Sequence, residues 1–123
     1  MGRPTAPLMS GSRDGTGCPS RGRPIDLVHL TRQTLGDQAL EHEVLGLMNR
    51  QIEAFSGRID LATEDERRHI AHALKGAARN IGAFALADAA EAFEHAPTAK
   101  AAREALSAEM VRAAAFIASL NGG

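Results

Sequence analysis

From Asp26 to Leu120 the apolar residues recur three and four positions apart, in runs broken only by short polar links. That spacing is the one-sided stripe of an α-helix. No run alternates apolar and polar residues as a half-buried strand does. Helices joined by links this short must lie antiparallel to their neighbours. The expected class is all-α: an antiparallel up-down four-helix bundle with a short additional N-terminal helix. Much of the apolar content is Ala, the best helix former. The chain is 44% hydrophobic, yet it has no Trp or Tyr and only four Phe.

The helix boundaries follow from capping chemistry. Asp26 is placed to cap a short helix carrying Leu27 and Leu30, which Gly36 ends. Asp37 caps the next, over roughly 38–57, with Leu40, Val44, Leu47, Met48, Ile52 and Phe55 as its expected inner stripe. Thr63 and Glu66 have the spacing of a capping box at the head of a third helix, which runs to about Asn80 and turns at Gly82. A fourth carries Leu86, Ala89, Ala90 and Phe93 and stops at Pro97. Thr98 is the expected cap of a fifth, with Ala102, Leu106, Met110, Ala113, Ile117 and Leu120 facing inward.

Residues 1–24 differ in kind. Rich in Gly, Pro, Ser, Thr and Arg, they lack the apolar content to order themselves and are expected to be a disordered tail preceding a bundle domain at 25–121. Four arginines against one aspartate give this tail a net charge of +3 and leave −4 for the rest of the 123 residues. A total of −1, without aromatic stacking residues, argues against nucleic acid as a partner. Cys18 stands alone, so no internal disulfide is expected. No run is long and apolar enough to span a bilayer, and the N-terminus lacks the apolar core of a signal peptide. A cytoplasmic protein that binds no membrane is expected, and a monomer, since no large apolar patch is evident.

The third helix holds the chemistry. At about 100° per residue, with Ile70 as origin, Leu74, Ala77 and Ile81 fall within about 40° and form its expected core stripe. His72 falls at about 200°, Arg79 at about 180°, Arg68 at about 160°, Lys75 at about 140° and Gly76 at about 240°. His72 is thus read as exposed, flanked by cations, with a gap at Gly76 one turn on. A Gly inside an exposed helix costs about 1 kcal/mol relative to Ala, which a large partner's close approach would explain. A neutral imidazole can attack phosphorus, and Lys75, read as exposed, could neutralise the charge that arrives. His69 and His72 have a metal-like i, i+3 spacing, but His29, His42 and His95 lie on other helices, and no metal or cofactor is expected.

His72, Leu74, Lys75, Gly76, Gly82 and Ala83, followed by Leu86, Ala90 and Glu94, resemble the motif of the histidine-containing phosphotransfer (HPt) family of multistep phosphorelays. The resemblance spans roughly residues 25–120 and includes the preceding stretch 35–48. It implies a four-helix bundle in which His72 is the phosphorylated residue, assisted by Lys75 and Gly76. It implies a carrier rather than an ATP-consuming enzyme, exchanging phosphoryl groups with aspartates of receiver domains, among them those of hybrid histidine kinases. The divalent cation for transfer would sit in the receiver. Arg68, His69, Arg79 and Gly82 are the expected receiver-docking residues. Two other readings are a detached phosphotransfer module loaded directly by a chemotaxis-type kinase, and an adaptor bundle without the chemistry.

Overall fold

The computed structural model describes residues 23–120. Apart from Arg23 and Pro24, the expected tail lies outside the described residues. Five helices follow in order: α1 (Leu27–Gln33), α2 (Gln38–Arg58), α3 (Glu64–Ile81), α4 (Phe84–His95) and α5 (Lys100–Leu120). Among the described residues there is no strand. α2, α3, α4 and α5 pack each against the next, α5 closes back on α2, and α1 lies against α3. The expected bundle with its extra N-terminal helix is the observed one.

The helix starts use the expected caps. Asp26 Oδ1 accepts from the Val28 and His29 amides at 3.0 and 3.2 Å, and Asp37 Oδ1 from the Leu40 amide at 3.1 Å. Thr63 Oγ1 accepts from the Glu66 amide at 3.1 Å while Glu66 Oε1 accepts from the Thr63 amide at 2.8 Å, a complete capping box. α5 differs from expectation. Ala99, not Thr98, precedes its first turn, with its carbonyl accepting from the Arg103 amide at 3.1 Å. Pro97 and Thr98 form the turn instead, closed by the Ala99 amide on Ala96 O at 3.1 Å. The fixed φ of Pro suits that turn position, and the Pro97 carbonyl accepts from Arg67 Nη1 at 3.1 Å.

The core corrects the expected stripes. In α2, Leu45, Met48, Ile52 and Phe55 are buried, while Leu40 and Leu47 are 40% and 55% exposed. Two overlapping three-and-four stripes run along this helix, and only its neighbours choose between them. In α3 the buried residues are Ala71, Leu74, Ala78 and Ile81, with Ile70 and Ala77 half-buried. The inner face is turned toward α4, where Ala87 and Ala90 are fully buried. A two-residue link, Gly82–Ala83, holds α3 and α4 close, and only small side chains fit that approach. Leu120, expected inward, is 38% exposed at the end of α5. Phe55 and Phe93 meet edge to face with centroids 5.9 Å apart in the middle of the bundle.

Gly82 fixes the geometry of that link. Its φ is +86°, left-handed, and a Cβ there would stand 2.8 Å from Asp26 O and 3.2 Å from His29 Cβ. The Asp26 amide donates to Gly82 O at 2.9 Å, which seats α1 on the end of α3.

Candidate functional site

His72 projects from the middle of α3 with 68% of its side chain exposed. Its Nδ1 lies 3.0 Å from Glu94 Oε2, on α4. Lys75, one turn on, gives Nζ to the other oxygen of the same carboxylate at 2.9 Å. Lys75 is not exposed as expected: only 13% of its side chain is open, because α3 is turned toward α4. The Lys75 hydrogen bond, helped by that of His72 and opposed by partial burial, holds the Glu94 carboxyl below its ordinary value. An ionised carboxylate only accepts, so Nδ1 must carry the proton in this contact. In the neutral ring that leaves the lone pair on Nε2, on the opposite side of the imidazole.

This arrangement can attack an electrophile at Nε2 without losing a proton. The positive charge that the ring acquires is met at Nδ1 by Glu94.

The Hpt domain family model matches residues 32–121. The chain belongs to the Hpt domain family. Hpt domains are phosphocarrier modules of two-component and phosphorelay signalling, and the helical bundle agrees with that fold. Neither the curated proteins nor the solved structures gave a match.

The Hpt domain presents two unlike flanks beside His72. On the α4 side Arg79 Nη2 pairs with Glu91 Oε1 at 3.0 Å, continuing the charged line of Lys75 and Glu94. On the α2 side the surface is a largely apolar valley. One stretch of about 260 Å³ is lined by residues including Phe55, Arg58, His69 and Ala73, and another of about 260 Å³ by residues including Val44, Leu47 and Ala77. Gly76 borders His72 one turn on, exposed, and a Cβ there would meet nothing within 4 Å. His69 is exposed and shares a shallow basin with His72 and Arg68. Arg68 is engaged by Glu64 and Asp65 at the head of its own helix.

Gly82, expected among the docking residues, is instead buried beneath α1, where its backbone ends α3. Its left-handed conformation and the closeness of Asp26 account for it. Glu94 belongs to the resembling motif, and the motif alone gives it no role. Antiparallel register is the signal that finds it: His72 stands ten residues before Gly82 and Glu94 eleven after Ala83, so a tight turn brings them level. Among the described residues no group of three or more His, Cys, Asp and Glu is placed to hold a metal ion. No described helix is long and apolar enough to cross a membrane.

Proposed function

We propose that this Hpt domain accepts a phosphoryl group on His72 Nε2 from the aspartyl phosphate of one receiver domain and passes it to another. The observation that carries this reading is the exposed imidazole whose Nδ1 is held by Glu94. In the forward step the Nε2 lone pair forms the N–P bond as the P–O bond of the acyl phosphate breaks. The aspartate carboxylate is the leaving group. The ring keeps Nδ1–H and becomes an imidazolium opposite Glu94, so reversal needs no proton exchange with water. The receiver supplies the divalent cation and most of the charge stabilisation. Receivers of hybrid histidine kinases are within the partner class. The carrier works as a cytoplasmic monomer.

The valley on the α2 side and the open position at Gly76 support a docking surface for a body as large as a receiver, with Arg79 and His69 at its edge. The test is phosphotransfer from a panel of phosphorylated receivers, read as acid-labile phosphate. His72→Gln should keep the helical signal and lose all labelling. Labelling that persists in His72→Gln would refute the assignment. Labelling by an ATP-dependent kinase and by no receiver would transfer the role to a kinase-loaded module.

A further inference from the structure

Lys75 and Arg68 both lie within about one turn of His72 on α3, so sequence position alone gives either cation access to its ring. The structure commits them differently. Lys75 and Glu94 have side chains 13% and 19% exposed, and the carboxylate divides its two oxygens between Lys75 Nζ and His72 Nδ1. Moving the ammonium to a phosphoryl group would strip a shielded carboxylate of its strongest partner. Arg68 is 45% exposed and pairs with Glu64 and Asp65, themselves 53% and 93% exposed. Such open surface pairs are weak and exchange readily for a doubly charged partner.

The space around His72 makes the same division. An open basin of about 490 Å³ is lined by Asp65, Arg68, His69, Ala73 and Glu94 beside His72 itself. Among the described residues Lys75 does not line it. A phosphoryl group on Nε2 stands on the side of the ring away from the Nδ1–Glu94 contact, and so away from the ammonium on the other oxygen. The planar guanidinium can offer two parallel donors to phosphoryl oxygens.

We infer that Lys75 is a positioning residue acting on His72 through Glu94, and that Arg68 is the cation that meets the phosphoryl group. This rests on His72 being the phosphoacceptor. It gives Arg68, which lies one turn before the reactive ring, a part in stabilising the phosphorylated state itself.

Phosphoramidate tests this on the whole chain without a receiver. The Nε2–P bond forms as the donor's P–N bond breaks and ammonia leaves. The readouts are the labelling rate, the nitrogen chemical shifts of His72, and the phosphorus titration of the phosphorylated protein. Lys75→Ala and Glu94→Gln should each move His72 from one tautomer toward a mixture and slow labelling by similar factors. The double variant should be no slower than Glu94→Gln alone, the mark of two residues acting as one unit. Arg68→Ala should leave the tautomer in place, yet raise the phosphoryl group's second pKa above that of the wild-type phosphoprotein, because a nearby cation favours the dianion. Multiplicative losses in the Lys75→Ala/Glu94→Gln pair would overturn the positioning role. A phosphoryl titration moved by Lys75→Ala, or unmoved by Arg68→Ala, would overturn the role of Arg68. Absence of label on wild-type His72 would instead remove the reading on which both rest.

Discussion

At Gly76 a missing side chain allows stability to be tested apart from the proposed docking. Because a Cβ there meets nothing within 4 Å, Gly76→Ala should stabilise α3 by up to about 1 kcal/mol. Gly76→Gln should also fold, keep its reactivity toward phosphoramidate, and lose most transfer from receivers. A normal receiver rate for this variant would show that the open position serves no docking. Glu94 gives a pH signature. Its carboxyl is held below its ordinary value in the fold, chiefly by the Lys75 hydrogen bond, whereas the unfolded chain returns it to the ordinary range. The unfolded state therefore binds more protons as the solution is acidified, so the stabilisation is complete above about pH 5 and disappears as pH falls below about 4. Denaturation of wild type and Glu94→Gln across that range should show a constant difference above it and a shrinking one within it. The exposure of His72 was legible from its angle on the helix. The burial of Lys75 was not: it depends on how far α3 rotates toward α4, which the Ala pairs Ala71–Ala78 and Ala87–Ala90 decide and a single-helix projection omits.

Elements were easier to read where local chemistry sets them. Asp26, Asp37 and Thr63–Glu66 are caps in sequence and in structure because each bond closes within three residues. Thr98 failed as a cap because Pro97 imposed a turn there, and α2 misled because Leu40 and Leu47 continue a stripe that nothing covers. Two left-handed positions now give opposite expectations. Gly82→Ala combines an unfavourable φ with a 2.8 Å approach to Asp26 O, and should cost at least about 1–2 kcal/mol. Leu35 also has a positive φ, 55°, but is 93% exposed. Leu35→Gly should relieve that strain and gain up to about 1 kcal/mol. Urea denaturation of the two variants should move the midpoint in opposite directions; a shift of the same sign in both would contradict these placements.

At the scale of the whole molecule, fold class and helix order were legible because periodicity and short links admit one ring of antiparallel neighbours. What joins distant parts was not: the pairs Arg103–Asp60 and Arg67–Pro97 O link segments 43 and 30 residues apart, and no local pattern announces them. The link Gly82–Ala83 has a further consequence, in time rather than in space. His72, Lys75 and Glu94 all belong to one helical hairpin closed by two residues, so the candidate site is built across a short link, whose loop-closure entropy is small. The His72–Lys75–Glu94 constellation should therefore assemble ahead of the docking of α5 on α2. Core truncations in the hairpin, such as Ala78→Gly, should mainly slow refolding, while Ile117→Val in α5 should mainly speed unfolding. On this order a nascent chain would already set His72 Nδ1 against Glu94 before the last helix closes the bundle.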